Sequence, residues 1–143
     1  MKLLLIDIAM GLTIAILIIF WPHERTPSLS FSDAKGVAFQ PNGDAIIEFW
    51  SIKSKPSHRD LQLIQRFTQS HTDIQKITVH AKYNNTDELQ NFLVDLGIYS
   101  TIYFCTDCPS QIPTTILMKQ NQITVLDHSP HYEQLMEFFE KDF

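Results

Sequence analysis

The chain has 143 residues, 44% of them apolar, which gives room for one modest domain and a tail. Its formal net charge is −5 with no cluster of Lys or Arg, so the electrostatic footprint of a nucleic-acid binder is missing and nucleic acid is excluded as an expected partner. No internal repeat or low-complexity tract interrupts it.

Leu3 to Trp21 is an almost unbroken apolar run of about 19 residues, enough to cross a ~30 Å hydrocarbon layer as a helix. Residues 1–21 therefore read as an N-terminal transmembrane anchor, with 3–21 in the membrane. A cleaved signal peptide fits less well, because Phe20-Trp21-Pro22-His23-Glu24 offers no small-x-small site and no cysteine nearby for lipid attachment. A buried core helix is disfavoured by the length and by the aromatic residues at the far end. Lys2 and the amino terminus sit on the short side, so the positive-inside rule puts the N-terminus in the cytoplasm and everything after Trp21 outside it, although His23 and Arg25 weaken the asymmetry. Asp7 lies within about one turn of the N-terminal interface; it marks a partner or proton path, or reaches headgroup water.

Residues 22–35 are rich in Pro, Ser and Thr and read as a flexible linker, with the folded domain spanning 36–143. Val37 to Phe39 is a short strand, and Pro41-Asn42-Gly43-Asp44 a turn whose Asn and Gly tolerate positive φ. Ala45 to Trp50 is a buried strand. Pro56 suits the first turn of a helix, behind which Leu61, Ile64 and Phe67 recur at helical spacing. Ile77 to Ala81 is a β-branched strand, and Thr86 opens a second helix with an apolar face of Leu89, Phe92, Leu93 and Leu96, closed by Gly97. Thr101 to Phe104, Thr114 to Lys119 and Ile123 to Leu126 are three more strands, and a last helix presents Tyr132, Leu135, Met136 and Phe139 on one side. Two βα crossovers followed by a hairpin and a helix call for an α/β fold with a mixed sheet covered on both faces.

Within this order, Glu48-Phe49-Trp50 followed by Ser54-Lys55-Pro56-Ser57, the loop Ile112-Pro113-Thr114-Thr115 and the crossover helix from Leu89 to Ile98 together resemble the thioredoxin superfamily, in particular its membrane-tethered TlpA/ResA-like envelope branch. The resemblance runs from about Gly36 to the C-terminus. It implies a thioredoxin-like fold, a cis Ile112–Pro113 bond, and a substrate groove in which Ile112, Pro113 and Thr114 face the turn at Ser54 to Ser57. It also makes Glu48 the analogue of the buried acid that moves protons in the active enzymes, or else a paired core carboxylate.

The departures change the expected chemistry. Ser54 and Ser57 stand where the family has its C-x-x-C cysteines, and a hydroxyl is essentially un-ionised at neutral pH and forms no disulfide. Lys53 stands where thioredoxins usually have tryptophan, which points to natural decay of the site. Residues 105–112 leave no room for the family's short helix before the proline loop.

Cys105-Thr106-Asp107-Cys108 is the only cysteine pair, in the loop leading to Pro113. Three readings stay open: a structural disulfide pinning the loop, a displaced redox-active pair, and a metal site completed by other ligands. The histidines His58, His71, His80, His128 and His131 have no fixed metal-site spacing, so no metal and no cofactor is expected. Ser54 or Ser57 as a hydrolase nucleophile lacks a G-x-S-x-G elbow. The sequence thus leads to a degenerate, envelope-facing thioredoxin-like module that binds another envelope protein, with a thiol-disulfide oxidoreductase using Cys105 and Cys108 as the alternative.

Overall fold

A computed structural model describes residues 31–120 and 122–141. The expected anchor, its Asp7 and most of the expected linker lie outside the described residues. Among the described residues no helix is long and apolar enough to cross a membrane.

The elements run β1 (Phe31–Ser32), β2 (Ala38–Phe39), β3 (Ala45–Trp50), α1 (Lys55–Ser70), β4 (Gln75–Ala81), α2 (Thr86–Asp95), β5 (Ile102–Cys105), β6 (Thr114–Lys119), β7 (Gln122–Leu126) and α3 (Tyr132–Glu140). They build one mixed sheet of order β2-β1-β5-β4-β3-β6-β7. β3, β4 and β5 are parallel neighbours, while β6 runs antiparallel to β3 and β7 to β6. β3 lies between β4 and β6 and every one of its residues is buried, so it reads as a continuous apolar run broken only by Glu48.

The sheet begins earlier than the sequence suggests. The stretch read as a linker to residue 35 already contributes β1, in which Phe31 is buried and Ser32 pairs with Phe104 of β5. One apolar residue carries this: the Phe31 ring meets Phe39 at 5.8 Å and Tyr103 at 5.7 Å, a cluster that the surrounding Ser and Thr conceal in a composition count. The turn between β1 and β2 is closed by Asp33, whose carboxylate accepts from the N–H groups of Lys35 and Val37, and by Gly36 at φ +82°.

Side chains alternate across the sheet, and the alternation divides the core. On one face Ile46 and Leu117 pack with Ile64 and Phe67 of α1 and Leu135 and Phe139 of α3. Next to them Trp50 and Phe104 pack with Leu61 of α1 and Leu89 and Leu93 of α2. The other face gathers Ala45, Ile47, Phe49, Val79, Cys105 and Ile116, against which Phe39, Tyr103, Cys108 and Ile112 pack.

Helix α1 starts at Ser54, whose hydroxyl accepts from the Ser57 N–H at 3.4 Å, with Pro56 in the first turn where its missing N–H costs nothing. Helix α2 is capped by Asn85, one residue ahead of the expected Thr86, and ends at Gly97 with φ +76°.

Candidate functional site

The C-terminal ends of the parallel strands, where open α/β sheets bind their ligands, lead into the serine turn after β3 and carry Cys105 at the end of β5. β3 ends at Trp50 and feeds the turn Ser51 to Ser54. The register pairs Phe49 with Thr114 and Glu48 with Thr115, which brings the start of β6 and the Pro113 loop beside the end of β3. The Ile112–Pro113 bond is cis, the isomer the resemblance implies.

The serine turn is held from below. The Ser57 hydroxyl is fully buried and accepts from the Ser51 N–H at 3.3 Å, so it is bound into the turn rather than presented to a substrate. Ile52 is gripped on both its backbone groups by imidazoles. Its N–H donates to His80 Nε2 at 3.3 Å, and its carbonyl accepts from His58 Nε2 at 3.0 Å. His80 Nδ1 lies 2.7 Å from its neighbour's carbonyl at Ala81, to which it donates, and this fixes the tautomer that leaves Nε2 as the acceptor. Burial pushes the His80 imidazole below the usual histidine range, keeping it neutral, with the Ala81 bond opposing.

Beneath the turn lies a buried carboxyl pair. Glu48 points to the α1 face, accepts a hydrogen bond from the Thr115 hydroxyl, and has its second oxygen buried without a partner. Its neighbour is Asp60, three residues after Ser57 on the inner stripe of α1, which accepts from the Ser129 hydroxyl at 3.2 Å. Burial drives the Glu48 carboxyl well above its ordinary value against the Thr115 bond, and the nearby Asp60 charge adds to the rise. Asp60 is also raised by burial, opposed by Ser129, Arg59, Glu48 and His131. Burial and the neighbouring Asp60 thus favour the protonated form of Glu48, and the sequence reading missed this partner. The signal was there in outline, since Asp60 is a carboxylate among Ser57, Leu61 and Ile64 on the apolar side of a helix.

Cys105 and Cys108 form a disulfide with Cα atoms 5.2 Å apart. Cys105 ends β5 opposite Ala81 and is buried, while Cys108 is half-buried. Cys105 Sγ lies 3.7 Å from the His80 carbonyl oxygen. The structure brings the cystine together with Ile112 in the cluster on one face of the sheet and keeps it apart from Ser57, Glu48 and Asp60, which belong with α1 on the other. The remaining histidines do not converge on it. His71 caps α1 and contacts Glu140 at 3.1 Å, and His128 and His131 face each other with ring centroids 6.0 Å apart before α3. Among the described residues no group of three or more His, Cys, Asp or Glu side chains is placed to hold a metal ion.

No family model matches the sequence, and no curated protein matches it. Solved structures do. A thiol:disulfide interchange protein of the thioredoxin family from Chlorobium tepidum superposes with a TM-score of 0.62 at 11% identity, over 78% of this chain and 90% of that one. StoA from Bacillus subtilis gives 0.58 at 18% identity, over 76% and 93%. A secreted Mycobacterium tuberculosis disulfide oxidoreductase homologous to Escherichia coli DsbE gives 0.60 at 10% identity, over 76% and 91%. Strand order and these likenesses together show that the chain has the thioredoxin-like fold.

Proposed function

We propose that this chain is a protein-binding module of the bacterial envelope, a thioredoxin-like domain with a degenerate Ser54-Lys55-Pro56-Ser57 turn, tethered to the inner membrane through residues 3–21. The observation that carries the reading is the chemistry of that turn. Serines occupy the positions of the expected dithiol, the Ser57 hydroxyl is buried in a bond from the backbone, and no thiolate can form there. The resemblance implies a groove beside Ile112, Pro113 and Thr114, and there an extended chain of another envelope protein would pair with backbone groups. The apolar length of residues 3–21 and the placement of Lys2 favour a periplasmic domain.

The test is co-purification from detergent-solubilised membranes, parent against Thr114→Arg, a bulky charge at the groove-side start of β6. The variant should lose most of whatever the parent captures while its far-UV and near-UV spectra stay unchanged. Equal capture by a folded variant removes the groove from the reading.

A second reading has its own observation. The Cys105–Cys108 disulfide lies in the same loop as Pro113, and Cys108 is half-buried rather than sealed. As a thiol-disulfide oxidoreductase the chain would work through this pair, and its reduction potential separates the two readings. A value below about −300 mV suits a structural bond, and one in the range of catalytic couples favours the enzyme.

A further inference from the structure

We propose that Ile52 is a latch point, and that protonation of His80 loosens the turn Ser51 to Ser54 beside the proposed groove. The inference deepens the groove reading by adding its regulation, and it rests on that reading only for what the loosened turn would bind.

The geometry is asymmetric between the two imidazoles. His58 Nε2 faces a carbonyl, so this nitrogen is a donor, and it donates equally well from a neutral or a charged ring. His80 Nε2 faces an N–H, so it must be the acceptor, and a proton on it sets two donors against each other at 3.3 Å. The other His80 nitrogen cannot take over that role, because it is committed to the Ala81 carbonyl at 2.7 Å. One proton therefore breaks the His80 half of the grip and leaves the His58 half intact.

The surroundings give this proton a defined site. Trp50 of β3 meets the His80 ring edge-on at 4.7 Å, and Tyr83 of the β4–α2 loop meets it at 5.6 Å. The ionisable groups that face it are Tyr83, whose hydroxyl donates to Glu88 of α2 at 3.0 Å, and His58 of α1 across Ile52. β5 brings Phe104 and the cystine, neither of which titrates, and Glu48 lies two pairs further down β3. No carboxylate accepts from the His80 ring, so its charged form has no partner waiting, and burial holds its titration below the ordinary histidine range.

The experiment uses the full chain in detergent micelles and needs no binding partner, so its failure is distinguishable from failure of the groove reading. Ring ¹⁵N shifts of His80 and the protection factor of the Ile52 amide are followed by NMR from about pH 8 to about pH 4.5. The expected result is a fall in Ile52 protection of roughly tenfold or more that shares its midpoint with the His80 ring, while the Ile98 amide, bonded to Leu93, keeps its protection. In His80→Gln, which cannot be protonated, the step should vanish, and in His58→Gln it should remain. Constant Ile52 protection in the parent overturns the proposal. So does a step with the midpoint of another group, or one that persists in His80→Gln. If His80→Gln does not fold, the shared or unshared midpoint in the parent decides.

Discussion

The serine turn and the cystine stand at the same end of the sheet, yet they are built on opposite principles. The turn at Ser54 to Ser57 has no thiols but is well supported, by a capped helix N-terminus, two imidazoles on Ile52, and the buried Glu48 and Asp60 carboxyls below. The cystine at Cys105 to Cys108 has the thiols and little of that support. It terminates a strand instead of opening a helix, so no helix N-terminus is there to lower a cysteine pKa. Reactive chemistry in this fold thus needs two things that the chain has separated, a sulfur pair and an electrostatic setting.

The comparison is tested hardest at Glu48. A neutral acid with a raised folded pKa loses its proton first in the unfolded chain, where it titrates near 4.5. The unfolded state then binds fewer protons than the folded one, so the contribution of Glu48 to stability falls as pH rises above about 4.5 and levels off beyond its folded pKa. Glu48→Gln should therefore gain on the parent as pH increases above about 4.5, and its stability should depend less on pH through that range. Urea midpoints at several pH values read this directly. A parent whose stability rises through that range contradicts a raised Glu48 pKa and would mean that Glu48 is an ordinary ionised carboxylate.

At the cystine the expected effect is smaller and independent of pH. Four residues closed by one bond restrict the unfolded chain little, so replacing Cys105 and Cys108 together by serine should cost about 2 kcal/mol by chain entropy. The loss appears as a lower urea midpoint with an unchanged slope. A much larger cost would show that the pair organises the packing of Ile112 and Phe49 in its cluster as well as the loop.

Periodicity made most of the fold legible. The buried run from Ala45 to Trp50, the spacing of Leu61, Ile64 and Phe67, and Gly97 after an amphipathic stretch each correspond to an element whose bounds differ from expectation by a residue or two. β1 escaped because a two-residue strand has no period, and its only mark is Phe31. The site was legible as residue types and not as contacts. The motif around Pro56 located the turn, but nothing in one sequence says that His58 and His80, distant in the chain, close on the two sides of Ile52, or that Asp60 lies against Glu48. Cys108 was placed in the right loop, but Cys105, read there too, closes β5, and which face the pair shares depends on strand alternation there. Phe104 faces the helices and Cys105 the other side.

The smallest effect is expected where the resemblance is closest. If Ser54 and Ser57 are remnants of a dithiol with only structural duties left, Ser54→Ala removes a helix cap and nothing else. The bond it accepts from the Ser57 N–H is long at 3.4 Å, so the cost belongs at the low end of the capping range, about 0.5 kcal/mol. Ser57→Ala deletes a hydroxyl that accepts from the Ser51 N–H at 3.3 Å and leaves that donor half-buried, a cost of about 1 kcal/mol. Neither variant should alter any disulfide reduction measured with a dithiol and a protein disulfide, because neither hydroxyl can take part in exchange. Any such turnover should instead disappear with Cys105→Ser. Turnover that falls with Ser57→Ala while the fold is kept would mean that the two regions still act together, with the serine turn positioning a substrate for the cystine across the end of the sheet.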